Sequence, residues 1–129
     1  MGAPVLVVDD DGDLLETMFE LLQDASRLVF TAKDGKEALD LLDTGVVVKP
    51  CLVLLDWLMT GMGGEEFLEQ LRTRSYAPDL RVVLVSGYSL AAAGGWSPRV
   101  VGFLQKPFSI EALTALLDEY CGAVPALSA

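Results

Sequence analysis

The chain has 129 residues, enough for one domain with a real core, a hydrophobic fraction of 52% and a net charge of −10. So acidic a chain lacks the clustered Lys and Arg that direct contact with DNA or RNA phosphates requires. Its zero histidines exclude a Ser-His-Asp triad, histidine metal ligands and any phosphohistidine on this chain. In chain order, residues 5–9 read as a first strand, and Leu14, Leu15, Met18, Leu21 and Leu22 make a one-sided helical stripe after it. Asp13 and Glu16 have the spacing of a capping box at that helix start. Residues 28–32 are a second strand, and Asp34-Gly35 opens a helix carrying Ala38, Leu41 and Leu42. Residues 52–56 are the third strand, 61–64 a glycine-rich loop, and Phe67, Leu68 and Leu71 mark the next helix. Residues 81–86 are a fourth strand; 88–99 should hold a helix that Gly94, Gly95 and Pro98 keep short. Residues 101–105 are a brief fifth strand. Pro107 and Ser109 then lead into a last helix with Ile110, Leu113, Leu116, Leu117 and Tyr120 on one face.

The apolar runs are too short to cross a bilayer, and Asp9, Asp10, Asp11 and Asp13 stand where a signal peptide needs apolar residues. The reading is therefore a cytoplasmic chain with no membrane insertion. Cys51 and Cys121 make neither a zinc pattern nor a disulfide framework, and Cys51, just before an apolar strand, reads as a small buried hydrophobe. Five β-α units in series imply an α/β fold, a doubly wound five-stranded parallel sheet with helices on both faces. Such sheets bind ligands at the carboxyl edge, beside the point where strand order reverses.

Polar residues stand at that edge. Asp9 and Asp10 end the first strand, Asp56 the third and Ser86 the fourth, and Lys106 follows the fifth. Singly, each reads as a helix cap, a turn residue or a solvated lysine. Together they converge on one pocket. Carboxylates a few ångströms apart repel by about 1 kcal/mol per pair in water, and more where partly desolvated. A divalent ion relieves this, and an all-oxygen site with room for water suits Mg²⁺. A carboxylate beside such an ion, a lysine and a hydroxyl donor is equipped for in-line attack on phosphorus.

Four linked motifs carry a resemblance: Val7-Val8-Asp9-Asp10, Leu54-Leu55-Asp56-Trp57-Leu58-Met59, Val85-Ser86-Gly87 and Lys106-Pro107-Phe108. In order, spacing and strand context the chain resembles the receiver domains of bacterial two-component response regulators over residues 4–120, with 121–129 left as a tail or linker start. The resemblance implies a flavodoxin-like strand order 2-1-3-4-5. It implies Asp56 as phosphoacceptor, and Mg²⁺ held by Asp10, Asp56 and the Leu58 backbone carbonyl, with Asp9 acting largely through water. Ser86 would bond a phosphoryl oxygen, Lys106 would contact the phosphoryl group, and the Lys106–Pro107 peptide would be cis. Phe103 falls at the family's switch position, where plain core packing is the equal alternative. A histidine kinase or histidine phosphotransfer protein would be the phosphoryl source. The domain would be a monomer or weak dimer that signals by protein contact or onward transfer, and no enzyme beyond assisting its own phosphorylation and dephosphorylation.

Residues 86–89 and 102–108 look like receivers at the carboxyl end of hybrid sensor histidine kinases. Bulky Leu58 and Tyr88 beside the site suggest slow self-dephosphorylation. Two positions depart from the family pattern. Thr60 replaces its usual proline and Gly63 its usual acid, so the loop is expected to be more mobile than typical. Rival readings fit less well. A haloacid dehalogenase-like phosphohydrolase needs a second Asp two residues after the nucleophile, where this chain has Leu58. A flavin-binding electron carrier needs a phosphate loop where Asp9-Asp10-Asp11 stands. A degenerate, partner-binding pseudo-receiver would not need all five chemical residues.

Overall fold

The computed structural model describes residues 3–87, 90 and 95–122. Along its strands, side chains alternate between two buried faces. Val5 and Val7 of β1 (Val5–Val8), Leu52 and Leu54 of β3 (Leu52–Asp56), and Val83 and Val85 of β4 (Val82–Ser86) share one core cluster. Their neighbours Leu6, Val8, Val53, Leu55, Val82 and Leu84 share the other. With β2 (Val29–Ala32) and β5 (Val100–Gln105) these strands form one five-stranded parallel sheet, ordered β2-β1-β3-β4-β5. That is the order the resemblance implied.

Among the described residues, two helices cover each face. Met18 and Leu22 of α1 (Gly12–Asp24) and Leu113 and Leu117 of α4 (Ile110–Cys121) close one core. Ala38, Leu39 and Leu42 of α2 (Gly35–Asp43) and Phe67, Leu68 and Leu71 of α3 (Gly64–Leu71) close the other. Each fully buried leucine or phenylalanine contributes about 1.5–3 kcal/mol of transfer free energy. Double coverage of this kind is what a parallel sheet requires. Leu21 departs from its predicted stripe. It is 43% exposed, because one step along a helix rotates it by about 100° from Leu22. Of the segment 88–99, residues 88, 89 and 91–94 lie outside the described residues, and 95–99 are not helical.

The helix starts are set by side-chain caps. Asp34 accepts from the Glu37 amide at 2.8 Å, while Glu37 accepts from the Lys33 amide at 3.0 Å. Ser109 accepts from the Ala112 amide at 3.0 Å. At α1 the cap is Asp11 rather than the expected Asp13. Asp9 Oδ1 accepts the Asp11 amide at 2.9 Å, which turns the chain so that Asp11 receives the Asp13 and Leu14 amides.

A second correction concerns the cysteines. Cys51 and Cys121 are joined by a disulfide, with S–S 2.08 Å and Cα atoms 5.1 Å apart. Cys51 enters β3 at the amino edge of the sheet, and α4 runs back toward that edge to end at Cys121. The fold thus joins residues separated by 70 positions, which spacing alone did not suggest. Cys121 belongs to α4 rather than to a tail, and residues 123–129 lie outside the described residues.

The start of α3 is fitted closely to the end of β3. A Cβ on Gly64 would fall 2.7 Å from Trp57 Cε3 and 3.2 Å from the Asp56 carbonyl oxygen. Gly64→Ala should therefore push Trp57 from its seat and destabilise the domain by about 1–3 kcal/mol. Denaturant unfolding followed by tryptophan fluorescence measures this; an unchanged midpoint would refute the close fit.

Candidate functional site

Asp9, Asp56 and Ser86 are the buried polar side chains among the described residues, and all three stand at carboxyl ends of strands. Asp9 extends β1 by donating its amide to the Ala32 carbonyl at 3.0 Å. Asp56 is the last residue of β3, paired in register with Val85. Ser86 ends β4, where its carbonyl accepts the Lys106 amide at 2.6 Å and so draws the end of β5 to the pocket. The Lys106–Pro107 peptide is cis, as expected. Asp10, one residue beyond Asp9, is exposed at the rim.

These residues meet. One carboxylate oxygen from each of Asp9, Asp10 and Asp56 lies within 4.8 Å of the others, a grouping able to hold a cation. Lys106 Nζ sits 3.0 Å from Asp9 Oδ2 and 3.6 Å from Asp56 Oδ1. One ammonium therefore faces two buried carboxylates, and it balances only part of their charge. Burial, and next the Asp9 charge, push the Asp56 carboxyl up to about 6; Lys106 opposes them without prevailing. For Lys106, burial would lower its pKa, but the hydrogen bond to Asp9 and the Asp9 and Asp56 charges outweigh it and raise it. The ammonium stays charged at neutral pH.

Asp9 is already engaged, by Lys106 through Oδ2 and by the Asp11 amide through Oδ1. Asp10 is held by a residue the sequence reading noted only as a departure. The Thr60 amide donates to Asp10 Oδ2 at 3.0 Å and its hydroxyl at 3.3 Å. Proline in that place would have no N–H to give. The loop that carries Thr60 is fastened further along, by the Gly35 amide on the Met62 carbonyl at 2.9 Å and the Gly64 amide on the Trp57 carbonyl at 3.3 Å. Leu58, two residues past Asp56, is 63% exposed.

An aromatic path leads away from the pocket. Trp57 meets Trp96 edge to face, with centroids 5.0 Å apart, and Trp96 meets Phe103 at 5.9 Å. Trp96 Nε1 donates to the Leu90 carbonyl at 3.2 Å. Phe103 lies opposite Leu84 on β4, half-buried against the core. Trp96 was missed by sequence reasoning, since nothing local to it signals that it stacks between residues 57 and 103. Tyr88 lies outside the described residues.

Comparison with known proteins agrees with this architecture. The family model described as the response regulator receiver domain matches residues 5–118. The response regulator MprA of Mycolicibacterium vanbaalenii is 36% identical over 122 residues, covering 89% of this chain and 48% of that protein. The chain thus spans about half the length of the curated relatives it matches. Among solved structures, the chemotaxis response regulator CheY4 of Vibrio cholerae superposes with a TM-score of 0.78 at 29% identity, over 93% of this chain and 99% of that one. The response regulator TrrA of Thermotoga maritima, solved in complex with Mg²⁺-BeF, does so with a TM-score of 0.75 at 27% identity, over 92% and 98%. A parallel sheet in 2-1-3-4-5 order, an acidic trio and lysine at its carboxyl edge, and a family match over nearly the whole sequence lead to one assignment: the chain belongs to the response regulator receiver domain family.

Proposed function

We propose that residues 4–120 are a receiver in which Asp56 accepts a phosphoryl group, with Mg²⁺ as cofactor. The observation that carries this reading is Asp56 itself: a buried carboxylate whose charge is only partly balanced by the lysine beside it. The donor set fits the metal. Asp9, Asp10 and Asp56 offer hard oxygen ligands, and exposed Asp10 leaves room for water. Asp10 and Asp56, with the Leu58 backbone carbonyl, would hold the ion, and Asp9, whose oxygens already accept from Lys106 and the Asp11 amide, would act largely through water. When bound, the ion neutralises the developing charge between two anions.

The chain's own groups do the rest. An Asp56 oxygen attacks phosphorus, and the bond from phosphorus to the donor's nitrogen breaks. Lys106 turns from its carboxylate partners to the new phosphoryl oxygens. The Ser86 hydroxyl reads one of those oxygens, and Phe103 follows the change through the Trp57–Trp96 contact. Haloacid dehalogenase-like hydrolysis lacks its general acid at Leu58, so the domain acts as a signalling module rather than an enzyme on outside substrates. The phosphoryl source is a histidine kinase or histidine phosphotransfer protein in the cytoplasm. Beside Lys106 lies an open apolar groove of about 470 Å³, lined by Leu14, Leu21, Phe108, Ile110 and Leu113. Among the described residues no helix is long and apolar enough to cross a membrane. The domain works as a monomer or weak dimer, without binding nucleic acid directly.

Incubated with Mg²⁺ and acetyl phosphate, the protein should gain one hydroxylamine-labile phosphoryl group, located by mass spectrometry on Asp56. EDTA or Asp56→Ala should abolish it, Lys106→Ala should cut it at least tenfold, and Ser86→Ala or Phe103→Ala should leave labelling but blunt the tryptophan-fluorescence response. Stable, metal-independent labelling on a serine or threonine would overturn the assignment.

The electrostatics predict a stability effect as well. A raised folded-state pKa means that Asp56 contributes stability when protonated and loses it as pH rises through about 6. Metal-free Asp56→Asn should thus be more stable than wild type at pH 7, by about 1–2 kcal/mol. The gap should close as pH falls toward about 4. Mg²⁺ at 100 times its Kd should stabilise wild type by about 2.7 kcal/mol and Asp10→Asn far less. Equal thermal shifts in the two proteins would remove Asp10 from the ligand set.

A further inference from the structure

At the edge of the sheet opposite the phosphorylation pocket, the end of α4 is held by residues that the receiver reading leaves unused. Cys121 is bonded to Cys51. The last turn of α4 contains no basic residue, yet its carbonyl end is partially negative. Two arginines, one from the loop before β2 and one from the residue before β4, meet that charge. Arg81 donates to the Tyr120 carbonyl at 3.2 Å, and Arg27 donates to the Gly122 carbonyl at 3.1 Å while pairing with Asp118 at 2.7 Å. The Tyr120 hydroxyl reaches the Val101 carbonyl at 3.2 Å. The helix end is therefore anchored by several contacts, of which the sulfur bridge is the one that redox chemistry opens.

The geometry points to Cys51 and Cys121 as a reversible thiol–disulfide site that sets how firmly the end of α4 is held, a second input separate from Asp56. Three observations support reversibility. The Cα separation of 5.1 Å lies within the range a disulfide spans without backbone movement, so the bond closes and opens on a settled frame. Both cysteines are only half-buried, which leaves them open to a small thiol. The reduced form is also provided for. Cys51 Sγ stands 3.5 Å from the Ala3 and Pro4 carbonyl oxygens, acceptors ready for a thiol proton. Arg27, Arg81 and Tyr120 would hold the helix in place without the bridge.

In a reducing compartment an intracellular disulfide is usually transient and redox-sensing rather than permanent. The oxidant is a small disulfide of the oxidised-glutathione class. One cysteine thiolate attacks it, forming a mixed disulfide and releasing one small thiol. The second cysteine, as thiolate, displaces the other small thiol and closes the bond. The pair gives up two protons and two electrons, and the small disulfide becomes two thiols. Because β3 separates Cys51 from Asp56 by about 16 Å, the exchange acts on α4 without touching the pocket.

The test equilibrates the purified full chain across glutathione buffers from fully oxidised to fully reduced, traps free thiols by alkylation and maps peptides by mass. The expected result is a Cys51–Cys121 cross-linked peptide that gives way to two alkylated thiols within the range. Tm should fall by about 10 °C on reduction, and amide exchange at residues 118–121 should quicken at least tenfold. Acetyl phosphate labelling of Asp56 should stay within twofold, which separates this site from the pocket. A Cys51→Ser, Cys121→Ser double variant should show a Tm indifferent to the buffer. Thiols that remain free throughout, a bond that persists throughout, or a bond that forms without altering exchange at the end of α4 would each overturn the proposal.

Discussion

Two strands of a parallel sheet deliver Asp9 and Asp56 to the same buried place, and a single ammonium stands between them. That imbalance of charge governs the local structure. It raises the Asp56 carboxyl to about 6 and ties Lys106 across to β1 and β3. In the proposed function it is also what draws a cation to the pocket. Removing the cluster would ease the fold, but in the proposed cycle it would leave nothing to bind a cation or to bring a phosphoryl donor to a carboxylate. The hydrophobic cores on the two faces of the sheet hold the repelling groups at close range.

The surrounding residues fall into place around that constraint. Thr60 occupies one oxygen of Asp10 through two donors, so the exposed carboxylate has a fixed orientation. Gly64 lets α3 begin against Trp57, and Trp57 leans on Trp96, which leans on Phe103. In the proposed cycle, a change at Asp56 and Ser86 has a packed aromatic route to β5. Packed aromatic rings move as discrete alternatives rather than by gradual deformation, which suits a two-state response.

Much of this was legible in the residues, for reasons that differ from element to element. The parallel sheet and its single carboxyl edge followed from five β-α units and right-handed crossovers, and the strand order from the resemblance to receiver domains. The pocket followed because Asp9, Asp10, Asp56, Ser86 and Lys106 each end or follow an apolar run, and such runs have one carboxyl edge. Local chemistry misled at α1, where Asp13 had the better capping pattern. The competing bond that the Asp11 amide donates to Asp9 decided the matter instead. Contacts between distant residues were out of reach. The Cys51–Cys121 bridge depends on the direction in which α4 returns along the sheet, and Trp96 depends on the path of the chain between β4 and β5. Thr60 was visible as an unusual residue, but the N–H it contributes has meaning only once Asp10 is seen beside it.

The charge imbalance is open to direct measurement. A titration of the aspartate carboxyl carbons by NMR, on metal-free protein, should show Asp56 titrating at about 6 rather than near the ordinary value of about 4. Saturating Mg²⁺ should remove that raised midpoint by holding Asp56 ionised to lower pH. An Asp56 that titrates near 4 without metal, unmoved when Mg²⁺ is added, would contradict the account.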